Sequence, residues 1–151
     1  MEFSMIVKKA LQEDLKQLSI LFDEYRQFYG ESSNLELSHR FLKKRFDNKD
    51  SVIFIHVKDD IFTGFILLYL SFSSVACSTY YILDDVYVTP TFRRQGVAKQ
   101  LIDTAILFSK QENALKISLS TQRSNYKSHE LYEKMGFTKD NEFLTYNYTI
   151  T

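Results

Sequence analysis

Residues 83–98, Leu-Asp-Asp-Val-Tyr-Val-Thr-Pro-Thr-Phe-Arg-Arg-Gln-Gly-Val-Ala, constrain the fold of this chain more than any other stretch. The order is an apolar strand, a short basic loop, a glycine and the start of a helix. A strand that enters such a turn presents several backbone N–H groups at a helix N-terminus. Those groups have no intrahelical acceptor, and the helix dipole adds positive potential. Gly96 lets the backbone approach a bound anion closely, and Arg93 and Arg94 add charge. The segment reads as a pyrophosphate site. It is not the phosphate loop of nucleoside triphosphatases, which needs Lys-Ser or Lys-Thr after its second glycine. Nor is it a dinucleotide fingerprint, since only one glycine is present.

The segment resembles motif A of the GNAT N-acetyltransferases, whose loop reads Gln/Arg-x-x-Gly-x-Gly/Ala. Arg93, Gly96 and Ala98 fill its three defined places, and Val86-Tyr87-Val88-Thr89-Pro90 supplies the preceding apolar-x-apolar-x-Pro. A second segment, Asn125-Tyr126-Lys127-Ser128-His129-Glu130-Leu131-Tyr132-Glu133-Lys134-Met135-Gly136-Phe137, is similar to the family's motif B, with Ser128 in place of alanine. Ser128, Leu131, Tyr132 and Met135 recur at i, i+3, i+4, i+7, one face of a helix. Gly136 is placed to end that helix in a left-handed conformation. Periodicity by itself would make Tyr132 a core aromatic. The resemblance gives it another role, protonation of the leaving CoA thiolate, and makes Asn125 a pantetheine contact. It also implies that acetyl-CoA is bound by the backbone of Val86, Tyr87 and Val88 along the pantetheine arm. The loop Arg93, Arg94, Gln95, Gly96, Val97, Ala98 and Lys99 would hold the pyrophosphate.

The element order supports this. A strand is expected at Met5–Lys9, and helices at 12–29 and 35–46, the second opened by a capping box of Ser33 and Glu36. Strands follow at 51–57, 64–72 and 79–88, then a helix from 96 to about 111 with Val97, Leu101, Ala105 and Phe108 on one face. A strand at 115–121, the motif B helix, and two last strands from Phe137 through Tyr148 around a turn at Lys139–Asn141 complete the pattern. This is an α+β layout. The resemblance makes it the acyl-CoA N-acyltransferase fold, a mixed, twisted sheet that splays beside the motif A strand, flanked by about four helices. One domain, residues 1–151, is expected.

Nineteen basic and nineteen acidic residues balance, so no nucleic-acid or membrane footprint is expected. Cys77 is the only cysteine, which fits a reducing, cytoplasmic setting. The N-terminus has no secretory-signal pattern, and the longest apolar run, 65–70, is too short to span a bilayer. His39, His56 and His129 show no metal spacing, so no metal is expected. A homodimer is an expectation from the family alone.

The resemblance implies direct attack of an amine on acetyl-CoA in a ternary complex. The oxyanion donor would be the backbone N–H of Val88. Some relatives carry a glutamate base where this chain has Ser120, which cannot serve. Asp84 and Asp85 remain as bases or as contacts to a cationic acceptor. Plain strand alternation puts them on opposite faces and gives Asp84 the face of Val86 and Val88, which favours Asp84 as base. The Leu83-Asp84-Asp85 step resembles that of diamine and polyamine acetyltransferases. Tyr25, Phe28, Tyr29, Tyr69, Phe72 and Ser73 are the further acceptor-pocket candidates; aromatics at helical spacing are mostly core, and Tyr29, beside Gly30 at a helix end, is the one most expected to face ligand. The leading expectation is acetyl transfer to a small cationic amine. The alternatives are modification of a protein N-terminus or lysine, and an acetyl-CoA sensor without turnover.

Overall fold

The computed structural model describes residues 5–151. The chain divides into two compact units, Met1–Ser120 and Thr121–Thr151. The first is built on a five-stranded sheet in sequential order: β1 (Met5–Lys9), β2 (Ser51–Lys58), β3 (Ile61–Ser73), β4 (Ser78–Val88) and β5 (Ile117–Leu119). The first four strands are antiparallel neighbours, and β5 runs parallel to β4. The β2–β3 hairpin closes on Asp59 and Asp60, both at positive φ, the two-residue geometry whose twist matches that of its strands.

Each face of the sheet has its own helices. On one lie α1 (Leu15–Phe28) and α2 (Leu35–Asn48), burying Leu18, Leu21, Phe22 and Leu42 with Ile53, Ile55, Phe65, Leu67 and Tyr87. α3 (Val97–Gln111) packs on β2, β3 and β4, with Phe108 against Phe54 and Tyr81 on the opposite face. Gly64 sets how closely α3 approaches. A Cβ there would sit 2.7 Å from Tyr87 O, 3.2 Å from Val97 Cγ1 and 3.3 Å from Leu101 Cδ1.

One irregularity in β4 matters for everything that follows. Leu68 pairs with Leu83, but Leu67 pairs with Asp85, so Asp84 is an extra residue in a β-bulge. Paired residues share a face. Leu83 therefore lies with Leu68, whereas Asp85 and Tyr87 lie with Leu67 and Phe65 on the α1/α2 side. The strand changes face at Asp84.

Residues 12–14 form a 3-10 turn before α1. Asn34, not Ser33, caps α2: its side chain accepts from Leu37 N–H, while the Ser33 hydroxyl donates to buried Asp23. Asp23 also accepts from Asn34 N–H and the Ser38 hydroxyl. Burial pushes its pKa up, but these bonds and nearby Arg26 outweigh that and hold it below the ordinary value. Asp23 thus pins the α1–α2 loop.

The second unit contains α4 (Tyr126–Lys134). The two last strands expected in 137–148 are not formed among the described residues; Asp140 Oδ1 instead accepts from Glu142 N–H and Phe143 N–H in a local turn. Alternation supplies a strand's side-chain pattern but not the partner its backbone needs, and a lone hairpin is marginal in water.

Candidate active site

β5 pairs with β4 only through Tyr81, Ile82 and Leu83. Past Leu83 the two strands part, leaving the β5-side edge of β4 open. Thr89 N–H bonds to Thr63 O on the β3 side, so by the antiparallel alternation Val88 and Val86 turn their N–H and C=O groups to the open edge. Val88 C=O accepts from Arg93 Nε at 2.9 Å, while Val88 N–H points into the gap. A splayed edge of this kind offers amide partners to an extended ligand such as the pantetheine arm.

The loop after β4 continues this edge. Pro90–Phe92 form a 3-10 turn, Arg94 has φ +62°, and Gly96, at φ +79°, is the N-cap of α3. The first backbone bond of α3 runs from Gln100 N–H to Gly96 O. Among the described residues, the N–H groups of Arg94 through Lys99 have no backbone acceptor. No atom lies within 4 Å of where a Gly96 Cβ would be. The donors and the open space fit a pyrophosphate. Arg93 is not part of that cradle: its guanidinium lies over Phe28 (5.1 Å) and Tyr87 (5.6 Å). Lys99 is paired with Asp103 at 2.8 Å. Arg94, like Arg93 and Lys99, is exposed.

A carboxylate pair sits where β4 changes face. Asp85 is 8% exposed, and its Oδ1 accepts a hydrogen bond from the Tyr25 hydroxyl. Burial and the neighbouring Asp84 push its pKa up to about 6, although the Tyr25 bond lowers it. Asp84 is exposed and acts on the same groups as Asp85, namely Tyr25 and Tyr69. Burial and the two carboxylates raise Tyr69 to about 12. The expected placement of the two aspartates on opposite faces is therefore wrong. Plain alternation fails at the bulge, and with it the reason for preferring Asp84 over Asp85.

α1 is fastened to this region by consecutive residues. Tyr25 reaches Asp85, and Glu24 accepts from the Thr89 hydroxyl at 2.9 Å. Tyr29 packs edge-on to Tyr25, the residue that bonds Asp85, with ring centroids 5.1 Å apart. Ser73 is not brought there. It lies at the β3–β4 hairpin end, six residues along β3 from the partner of Asp85, roughly 20 Å away. Its hydroxyl accepts from Ala76 N–H in the turn.

In the second unit Asn125 caps α4, its side chain accepting from Ser128 N–H. Gly136 (φ +95°) donates to Glu133 O, and Phe137 N–H to Tyr132 O. This pair of bonds is a Schellman motif, completed by the Tyr132–Phe137 ring contact at 5.7 Å. The Leu-Tyr-x-x-x-Gly-Phe signature is thus a helix stop that fixes the tyrosine's orientation.

Residues 18–137 match the family described as the Acetyltransferase (GNAT) family. The chain belongs to the GNAT family. It is 37% identical, over 94% of its length and 95% of the relative's, to the uncharacterized N-acetyltransferase YhfO of Bacillus subtilis (strain 168). The crystal structure of a probable acetyltransferase superposes with a TM-score of 0.92 at 38% identity, covering 97% and 98% of the two chains. An aminoglycoside N-acetyltransferase solved in complex with CoA shares the fold at 19% identity, with a TM-score of 0.82 over 99% and 98%. The chain is therefore an acetyl-CoA-dependent N-acetyltransferase of the GNAT fold, with a mixed sheet and four helices. No group of residues able to hold a metal occurs among the described residues, and no described helix is long and apolar enough to cross a membrane.

Sequence reasoning undervalued two residues of this GNAT acetyltransferase. Tyr25 stood among six acceptor-pocket candidates with nothing to rank it; only the fold brings it to Asp85. Gly64 had no signal beyond its place inside a strand, where glycine marks a close backbone approach.

Proposed function

We propose that this acetyltransferase moves the acetyl group of acetyl-CoA onto a primary amine of a small cationic molecule, of the diamine, polyamine or amino-acid kind, in a ternary complex. The observation that carries this reading is the paired carboxylates at the β4 bulge, beside the open strand edge and the N–H cradle. Acetyl-CoA supplies an acyl carbon activated as a thioester. At pH 7 about one lysine-like amine in 2,500 is neutral, a population cost of about 4.6 kcal/mol. Asp85 takes the ammonium proton and Asp84 holds the cation. A carboxyl near 6 is ionised at pH 7 and more basic than an ordinary aspartate. Val88 N–H donates to the carbonyl oxygen as negative charge develops there. The amine nitrogen bonds to the acyl carbon as the C–S bond breaks, and Tyr132 returns a proton to the sulfur. Val86, Tyr87 and Val88 line the pantetheine, with Asn125 as a further contact. Arg94, Gln95, Gly96, Val97, Ala98 and Lys99 cradle the pyrophosphate, and Tyr29 borders the acceptor. The family match spans both compact units, which supports reading residues 1–151 as one acetyltransferase domain. The lone, exposed Cys77 supports a cytoplasmic setting.

Thiol release from acetyl-CoA, followed with putrescine, spermidine, free amino acids and an unblocked lysine peptide, tests the acceptor. The small cations should be turned over. Release with the peptide alone would make the enzyme a protein acetyltransferase. No release with any amine, while acetyl-CoA still raises the melting temperature, would make it a sensor; saturation at 100 Kd stabilises by about 2.7 kcal/mol.

We also infer a homodimer formed through residues 143–150. Leu144, Tyr146, Tyr148 and Ile150 alternate with Thr and Asn, are 77–90% exposed, and no charged residue occurs from 143 to the end. Such a segment is complementary to itself in antiparallel pairing about a two-fold axis.

A further inference from the structure

A dry carboxylate tends to stay protonated, and a base must not. We propose that Tyr25 is the positioning residue for Asp85: its hydroxyl holds Oδ1, keeps the buried carboxylate ionised, and leaves proton abstraction to Oδ2. The role rests on reading Asp85 as the base.

The geometry is well braced. Tyr25 lies one turn from the end of α1, and its ring is held edge-on by Phe65 (5.5 Å), Tyr87 (5.7 Å) and Tyr29 (5.1 Å), with Phe22 at 6.0 Å. The ring cannot swing away without breaking this packing. Glu24, the preceding residue, fixes α1 to Thr89 just past β4. Tyr25 is also the donor in this pair. Burial, the bond to Asp85 and the charge of Asp85 all push its own ionisation above the ordinary tyrosine range.

The other groups facing Asp85 cannot do this work. Asp84, its neighbour on β4, opposes ionisation by like charge. Tyr69 of β3 is coupled to both carboxylates. Arg45 of α2, also near Tyr69, is paired with Asp50 at 3.0 Å. No cation forms an ion pair with Asp85 among the described residues. Against burial and Asp84, the Tyr25 hydroxyl is, among the described residues, the group that favours the charged carboxylate.

The test is a carbon-13 titration of the intact protein labelled at the aspartate γ-carbons, with the Asp85 signal assigned by its loss in Asp85→Asn. The Asp85 midpoint should rise by about one pH unit in Tyr25→Phe, which keeps the ring and its packing. It should fall when 3,5-difluorotyrosine, a more acidic phenol, is placed at position 25. It should also fall in Asp84→Asn. A purely structural Tyr25 would lower the melting temperature and leave the midpoint in place, which would overturn the inference. Should Tyr25→Phe fail to fold, the fluorinated protein, native in shape, still decides. Activity separates this inference from the reading beneath it. If Asp85→Asn is inactive but the midpoint ignores position 25, the Tyr25 role falls alone. If the midpoint moves as expected while Asp85→Asn keeps full turnover, the base assignment falls and takes the role with it.

Discussion

Asp85 carries a cost that its proposed role as base explains. Its folded pKa, about 6, lies above the ordinary 3.8. The stability it contributes is fully present below pH 3.8 and is lost as pH rises through 6. A shift of about two units corresponds to something on the order of 3 kcal/mol. Asp85→Asn should therefore be more stable than the native protein above pH 7 and indistinguishable from it below pH 4, as read by melting temperature across that range. The same variant should lose about 100-fold or more in kcat, and the acid limb of the native kcat/KM profile should have its midpoint near 6. A variant that is no more stable at pH 8 would contradict the buried charge. Both aspartates were legible in the sequence as candidates. Their ranking was not, because it depended on which way each side chain points, and one extra residue in the strand changes that.

Elements place what residues do. The long strands, α1, α2, α3 and both family segments were legible because periodicity, helix stops and loop chemistry agreed over ten or more residues. Strand ends were less legible: β5 was expected over seven residues and pairs over three, because β4 bulges away beyond Leu83. The two glycines around α3 separate packing from binding. Gly64→Ala forces a methyl group into the backbone and side chains beneath the helix and should cost about 1–3 kcal/mol in denaturant unfolding. At Gly96 an added Cβ has open space around it. Gly96→Val should instead weaken acetyl-CoA binding at least tenfold by calorimetry, with some added strain from its positive φ. Equal affinity in Gly96→Val and the native protein would remove the cradle assignment. On α4, Tyr132→Phe keeps the ring against Phe137. It should lower kcat with little change in acetyl-CoA Kd, and an unchanged rate would remove its acid role.

For the molecule as a whole, the unresolved pattern is the C-terminal segment, whose alternation promises a strand that the described chain does not form. If two copies supply each other's partner, light scattering should give twice the chain mass, and Tyr146→Lys with Tyr148→Lys should give the monomer. A monomeric native protein would sink the assembly. The bulge in β4 has a consequence of a different kind. One strand serves two cores, with Tyr81 and Leu83 on the α3 side and Asp85 and Tyr87 on the other. Asp84 keeps those halves out of phase simply by being there. Its identity can change to Asn or Ala with both cores intact. Its deletion would restore a regular strand and drive either Tyr81 and Leu83 or Asp85 and Tyr87 into the wrong layer. In that strand, length is under tighter constraint than chemistry, and a library that varies residue 84 should return many folded proteins where one that removes it returns none.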